Sequence, residues 1–362
     1  MTHREGEVLF EDRFDGGSTD RWPIPPISLI EDPEHGGVLH LKAGDPNAGH
    51  WLGWAGDDTW RNYRLEVEVL PVGDESGFLG FDFHVQSDES GCCNLHFPAS
   101  PEGGERLFEG CGRYDDGNTS WKLGPLSQRT APSVRGEWLR LRLDAGETVA
   151  NLWVGDDPAP VFTVYDLPFA SGGVRLWRYY ASAYFRNLRV TALSNVEPIL
   201  DDTWGSVAGP GVIRDWSISR MLPQGFGLDD PVAAVRTGDA GWRDVATDRR
   251  GVVNVVAVDP GEYCRKGVVF AKATLGSATE AARRLCLTYT DQLSMWLNGT
   301  SVFAGKPRGW YDPGRSDADG WGRLMPDQFE VELPLGSGEN EILMRLEVNE
   351  PLFGSGFWAR AI

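Results

Sequence analysis

A chain of 362 residues with 41% hydrophobic content, including 15 Trp, 16 Phe and 9 Tyr, can fill two substantial cores, so two domains are expected. Its 34 basic and 53 acidic residues give a formal charge of −19, which repels phosphate backbones and anionic lipid surfaces and argues against nucleic acid or a membrane as partner. No apolar run approaches the ~20 residues needed to span a bilayer.

The 45 Gly and 23 Pro, scattered without a period, suit many short strands and turns. The N-terminus, MTHREGE, is charged and leads directly into "VLF", without the apolar core of a secretory signal. A cytoplasmic location is the default expectation, and a secreted one if a leader has been removed. Five cysteines, at 92, 93, 111, 264 and 286, make an odd count in a chain with ample core, which suits buried free thiols better than a disulfide framework.

In chain order, "YRLEVEVL" (63–70), "GFLGFDFHV" (77–85), "EWLRLRLD" (137–144), "VANLWVG" (149–155) and "GVRLWRYY" (173–180) place apolar residues at alternate positions, the pattern of half-buried strands. Turn signals such as "PVGDESG", "DDGNTS", "DAGE" and "ASGG" separate them. "YFRNLRVTAL" (184–193) reads as a closing strand, and residues 194–215, rich in Gly, Pro and Asp, as a linker. Beyond it, "VVNVVAV" (252–258), "GVVFAKATL" (267–275), "RRLCLTYT" (283–290), "QLSMWLNGTSVFAG" (292–305), "DQFEVELPL" (327–335) and "NEILMRLEV" (340–348) repeat the strand style. "GSATEAARRL" (276–285) is a weak helix candidate, with a loop as the alternative. Asn298-Gly299 carries a two-residue hairpin signal, since both central residues of a type I′ turn need positive φ. The same residues satisfy the N-glycosylation pattern, and the turn is the preferred reading. The expected fold is all-β: two tandem antiparallel β-sandwiches, or jelly rolls, over 1–193 and 216–362.

In "SGFLGFDFHVQSDESGCCNLHFP" (76–98), alternation puts Phe81, Phe83 and Val85 on one face and Asp82, His84 and Gln86 on the other. If "NLHF" returns antiparallel, Leu95 and Phe97 join the first face, and Asn94 and His96 the second. By the same parity the preceding strand adds Arg64, Glu66 and Glu68, if it faces the same way. Four readings of this patch are open: a solvated sheet face, a sugar-binding face, a histidine–carboxylate acid/base pair, and a metal site of His84, His96 and Asp82. Cys92-Cys93 is expected in the hairpin loop, with no activating base for a nucleophilic thiol. Trp177 and Tyr179 lie opposite Leu176, and Trp121 sits in a loop-rich stretch. Their rings could stack on pyranose faces, although core packing is the commoner role of Trp in a sandwich. The segment 306–326, with Trp310, Tyr311 and Trp321, is a long aromatic loop of functional or packing character. No P-loop, G-x-G-x-x-G, H-E-x-x-H, G-x-S-x-G or E-x-D-x-x-E motif occurs, which removes the nucleotide, zincin, α/β-hydrolase and laminarinase-type readings.

The segments "VLFEDRFDGGSTDRW", "GGVLHLKA", "TWRNYRLEVEVLP", "SGFLGFDFHVQ", "GEWLRLRLDAGETVANLWVGD" and "LPFASGGVRLWRYYASAYFRNLRV" follow in the order seen in concanavalin A-like jelly rolls of the laminin G type. They resemble the 3-keto-disaccharide hydrolase family over about residues 7–193. Many relatives carry an acidic residue where Asn187 stands, which weakens the expectation of a structural calcium there. The segments "VVFAKATL", "DQLSMWLNGTSVFAG", "LPLGSGENEILMRL" and "FGSGFWARAI" resemble the galactose-binding-like jelly roll that accompanies β-galactosidases and β-glucuronidases, usually an ancillary module.

The resemblance to the first family implies a ligand groove on the concave face of the first domain. The leading expectation is a carbohydrate bound there, with Gln86, Asn94, Arg64, Trp177, Tyr179 and Trp121 as ligand-binding candidates. The alternative is a glycoside hydrolase or lyase with His84, His96, Asp82 and Glu66 as the catalytic candidates, the histidines acting as base or holding a divalent metal. A structural or protein-binding tandem sandwich is the third reading.

Overall fold

The computed structural model describes residues 3–15, 29–32, 34–41, 51–73, 77–88, 90–99, 104–114, 123–133, 136–179, 181–200, 209–237, 240–263, 265–306, 324, 328–349 and 355–362. Trp121 and almost all of the 306–326 loop fall outside these residues. The chain divides into two units, residues 1–113 with 126–202 and residues 114–125 with 203–362.

The first unit is built on β1 (Val8–Asp12), β2 (Leu29–Asp32), β3 (Gly36–Leu41), β4 (Trp51–Ala55), β5 (Tyr63–Val72), β6 (Phe78–Val85) and β7 (Gly91–Pro98). It continues with β8 (Gly104–Tyr114), β9 (Leu123–Ser133), β10 (Leu139–Ala145), β11 (Val149–Val154), β12 (Phe162–Tyr165), β13 (Gly173–Tyr179) and β14 (Ser182–Ala192). The larger sheet runs β12-β11-β10-β5-β14-β3-β2, with β1 also paired to β14. The smaller runs β4-β13-β6-β7-β8-β9. Alternation decides what faces inward. Leu65, Val67 and Val69 of β5 and Leu141 and Leu143 of β10 share one buried cluster with Leu79, Phe81 and Phe83 of β6, Leu95 and Phe97 of β7, and Leu176 of β13. Each such side chain, fully withdrawn from water, contributes about 1.5–3 kcal/mol.

Two irregularities shape this sandwich. In β6, Val85 pairs with Gly173 and Phe83 with Val174, so His84 is an extra residue, held at φ 49°. In β14, Arg186 pairs with Glu68 and Arg189 with Glu66, so Asn187 and Leu188 form a bulge with Asn187 at φ 56°. The vicinal cysteines are not in a loop. Both lie inside β7 and are fully buried. Consecutive strand residues point to opposite faces, and only Cys93 joins the core cluster. Cys92, Cys93 and Cys286 are free thiols, while Cys111 and Cys264 lie outside the residues whose side chains are described.

The second unit contains β15 (Asp215–Ile218), α1 (Pro231–Thr237), β16 (Arg243–Ala246), β17 (Val253–Asn254), α2 (Val255–Val258), α3 (Pro260–Tyr263) and β18 (Gly267–Ser277). It ends with β19 (Ala281–Tyr289), β20 (Gln292–Leu297), β21 (Thr300–Gly305), β22 (Phe329–Leu335), β23 (Gly338–Val348) and β24 (Gly356–Ala361). Its sheets run β16-β15-β18-β23-β20-β21 and β17-β24-β19-β22 over a core that includes Val269, Leu287, Tyr289, Met295 and Met344. Asn298 and Gly299, at φ 50° and 84°, make the expected two-residue turn between β20 and β21. The Asn298 amide is engaged, donating to Asn340 Oδ1 at 2.9 Å and accepting from Glu341 N.

Two local expectations fail here. Residues 276–285 are the end of β18, a turn and the start of β19, because cross-strand partners in β22 and β23 outweigh the helix-forming alanines. "VVNVVAV" is strand only at Val253–Asn254, where the Asn254 side chain accepts from Ala257 N and caps a helical turn instead. Among the described residues no helix is long and apolar enough to cross a membrane.

Candidate functional site

The outer face of the smaller sheet is organised in rungs across its strands. One rung is Asn94 (β7), Asp82 (β6), Arg175 (β13) and Trp54 (β4), successive cross-strand partners. The next is His96, Gly80 and Trp177. A side chain at Gly80 is impossible without movement of β7, since a Cβ there would lie 1.9 Å from the Leu95 carbonyl oxygen. With no side chain between them, the His96 and Trp177 rings approach to 5.6 Å.

The rungs are wired together. Arg175 Nε and Nη2 both reach Asp82 Oδ2 at 2.7 Å. Asn94 Nδ2 donates to Asp82 Oδ1 at 2.6 Å, and His96 Nδ1 lies 2.7 Å from Asn94 Oδ1. The proton positions follow from donor capacity. A carboxylate only accepts, so Asn94 must turn its NH2 to Asp82 and its oxygen to His96, which then carries its proton on Nδ1. In the neutral ring this leaves Nε2 as the acceptor nitrogen. Arg175 Nη2 also reaches Cys92 Sγ at 3.7 Å. Burial works against the charged guanidinium, but the Asp82 charge and then Cys92 outweigh it and hold the Arg175 pKa above its ordinary value.

This face is withdrawn from solvent. Asp82 and Asn94 have no exposed surface, His96 keeps 3% and Trp177 4%. The solvated-face reading is therefore corrected for Asp82, Asn94 and His96: β6 and β7 are buried on both sides at these positions, and alternation distinguished an apolar face from a polar one without telling which was wet. Trp54 is half-buried at the end of the polar rung, and its indole Nε1 is a buried donor with no acceptor. Its ring lies over Gly173, where a Cβ would stand 2.6 Å from Nε1.

His84 does not join this row. As the extra residue of the bulge it turns its ring toward Tyr63 and Phe83, at centroid distances of 5.4 and 5.5 Å. Its Nδ1 lies 2.7 Å from Phe169 O and its Nε2 3.1 Å from Arg61 O, while its backbone N donates to Tyr63 Oη at 2.9 Å. Burial lowers the His84 pKa to about 4, against the opposing pull of those two carbonyls. The neutral ring has one N–H, which the shorter contact to Phe169 takes. The set His84, His96 and Asp82 is thus not assembled around a common point, and among the described residues no His/Cys/Asp/Glu group is arranged to hold a metal ion. Burial, followed by the neighbouring Cys92, raises the Cys93 thiol well above its ordinary value, so no thiolate nucleophile forms there.

No protein-family model matches the chain, and no curated protein matches it. Among solved structures, a carbohydrate-binding module, CBM66 from Bacillus subtilis, aligns at 13% identity over 48% of this chain and 96% of its own, with a TM-score of 0.35. Domain 4 of AbnA, an extracellular arabinanase from Geobacillus stearothermophilus in complex with arabinotriose, aligns at 15% over 53% and 96%, with a TM-score of 0.32. A beta-1,3-glucanase from Mycobacterium marinum aligns at 14% over 52% and 100%, with a TM-score of 0.34. The neighbours are carbohydrate-binding modules and glycoside hydrolase-like sandwiches. Likeness at this level assigns neither a ligand nor a site.

The remaining candidates disperse. β5 belongs to the larger sheet, so Arg64, Glu66 and Glu68 lie on the opposite outer surface from Asp82. Arg64 is engaged there, its Nε and Nη2 donating to Asp144 at 2.7 and 2.9 Å. Gln86 closes the end of β6, donating to His84 O at 2.9 Å and Ser171 O at 2.6 Å. Tyr179 falls within β13, but its side chain lies outside the described residues. Two residues of the row escaped the sequence reading. The parity that selects Trp177 in "GVRLWRYY" also selects Arg175, two positions earlier, and Trp54 lies in "WLGWA", a segment with no polar–apolar alternation to mark it as a strand.

Proposed function

We propose that the first unit recognises a carbohydrate at the outer face of its smaller sheet. Trp54 and Arg175 make the contacts, and Asp82, Asn94, His96 and Trp177 form the floor that positions them. The observation that supports this reading most is the Trp54 indole N–H, a buried donor without an acceptor at the end of an otherwise satisfied polar rung. Buried donors are rarely left unmade, because each costs about 1–3 kcal/mol. A ligand hydroxyl would satisfy this one. Aromatic surface combined with a few fixed polar groups is the composition of small-molecule sites, and a prewired network orders no further side chain on binding. Calorimetry of the full chain against neutral oligosaccharides tests it. Binding that weakens about tenfold in Trp54→Phe, which keeps an aromatic ring and removes the donor, is the expected result. Equal affinity in the variant, or no binding by the wild type, overturns it.

A second reading, a glycoside hydrolase or lyase, is favoured by one geometric fact. The Asp82–Asn94–His96 series fixes the His96 tautomer with Nε2 as acceptor, the form a general base requires. Turnover of 3-keto-glycosides or oligosaccharides that disappears in His96→Ala and falls in Asn94→Ala would select it. Absence of turnover with intact sugar binding leaves recognition alone. The second unit is assigned an ancillary role in both readings.

A further inference from the structure

The outer surface of the larger sheet carries a depression of about 560 Å³, within the usual range for small-ligand sites. Its lining includes Asn187 and Leu188 of the β14 bulge, which interrupts the ladder with β5, and Gly155 to Asp157 of the turn after β11. Most of its charged side chains are already held. Glu68 takes Arg186 and Arg140, Arg140 also pairs with Asp156 at 2.6 Å, and Arg13 lies 3.7 Å from Glu11. Arg142 is fixed by Asp144 and lies 4.1 Å over the Trp153 ring. Glu66 and Arg189 differ. They are cross-strand partners beside the bulge, both exposed, and among the described residues neither forms an ion pair. The rim is therefore preorganised, while an accepting carboxylate and a donating guanidinium stand available beside the bulge.

We infer that this depression is a second ligand site, taking a neutral, hydroxyl-rich ligand of oligosaccharide type between Glu66 and Arg189. Its lining combines four guanidiniums, Arg13, Arg140, Arg142 and Arg189, with five carboxylates, Glu11, Glu66, Glu68, Asp156 and Asp157. So nearly balanced a set gives little net attraction for an ion. Vicinal hydroxyls use both signs at once, donating to the carboxylate and accepting from the guanidinium. Charge-assisted bonds of this kind are the stronger class, and the ion-paired rim spares the ligand the cost of ordering it. The site is separate from the Trp54 face and does not depend on it, because the two lie on different sheets.

The test titrates the full chain with maltotriose, cellotriose, laminaritriose, xylotriose and arabinotriose by calorimetry, with glycylglycine as a zwitterionic control. At least one trisaccharide is expected to show, apart from any binding event that weakens in Trp54→Phe, an event whose affinity falls about tenfold in both Glu66→Gln and Arg189→Ala. Both substituted residues are exposed, so folding should survive, and circular dichroism confirms it. Trisaccharide binding that ignores Glu66→Gln and Arg189→Ala but falls in Trp54→Phe overturns this inference and leaves the Trp54 face standing. Absence of any trisaccharide binding overturns both. Glycylglycine binding with the Glu66 and Arg189 dependence overturns the ligand class in favour of a zwitterion.

Discussion

On the smaller sheet Arg175 meets Asp82 with almost no water in reach. On the larger sheet Arg64 and Arg142 share Asp144, whose side chain is 11% exposed, while their own guanidiniums remain about a third exposed and in reach of water. Both are short arginine–aspartate contacts between cross-strand or same-strand neighbours, yet they are different objects. In water the attraction is screened and the free ions are well solvated, so a surface pair adds about 0–1 kcal/mol. Out of water the ions have lost their solvent, and removing one partner strands the other at a cost of about 3–5 kcal/mol. Pair distance alone does not distinguish a structural anchor from a surface ornament, whereas burial does. The comparison also explains why breaking the buried rung should cost far more stability than breaking a pair of the outer lattice.

The largest test of that contrast is Asp82→Ala, expected to lower the free energy of denaturant unfolding by about 3–5 kcal/mol. Replacing both charges at once, Asp82→Leu with Arg175→Met, should recover most of that loss, since no buried ion is left unpaired. A double variant no more stable than the single one would show that Asp82 acts through Asn94 and His96 instead. Next comes pH. His84 has a folded pKa of about 4 against about 6.5 unfolded, so the unfolded chain takes up the proton first as pH falls. Stability is then fully present above pH ~6.5 and declines toward pH ~4, by about 3 kcal/mol from this residue. The difference in unfolding free energy between wild type and His84→Gln, measured across that window, reads it. A difference independent of pH would mean that His84 does not titrate there.

Smaller effects belong to the outer lattice. Burial opposes ionisation of Asp144, but Arg64 and Arg142 hold its carboxyl below the ordinary value, so its contribution is lost only at more acid pH than that of His84. Asp144→Ala should cost about 1 kcal/mol and less at high salt. Arg140→Ala, at an exposed pair with Asp156, should change stability by no more than about 0.5 kcal/mol. If Arg140→Ala cost as much as Asp82→Ala, the division between the two faces would fail.

Period-two alternation carried most of the architecture. It separated Phe81, Phe83, Leu95 and Phe97 from Asp82, Asn94 and His96, and the hairpin at Asn298-Gly299 was legible in two residues because positive φ is a local demand. What stayed hidden was non-local. The assignment of β5 to the opposite sheet from β6 dispersed Arg64 and Glu66, and nothing within "YRLEVEVL" encodes which sheet a strand joins. The placement of His84 was hidden for another reason, because a bulge resets the alternation and leaves no mark in composition. Solvent access was the third gap, since a polar face looks the same in sequence whether it is wet or covered.

The bond from the His84 backbone N–H to Tyr63 Oη joins a strand of one sheet to a strand of the other. Packed side chains let two sheets slide by small steps at little cost, but a directional polar link between layers does not. It acts as a rivet against shear, reinforced where the same histidine ring donates to Phe169 O. Tyr63 is fully buried, so Tyr63→Phe would remove the rivet while keeping the ring that fills the core. The two layers should then slide more freely in that variant, and quickened exchange of the β6 amides would report the stiffness that one hydroxyl supplies.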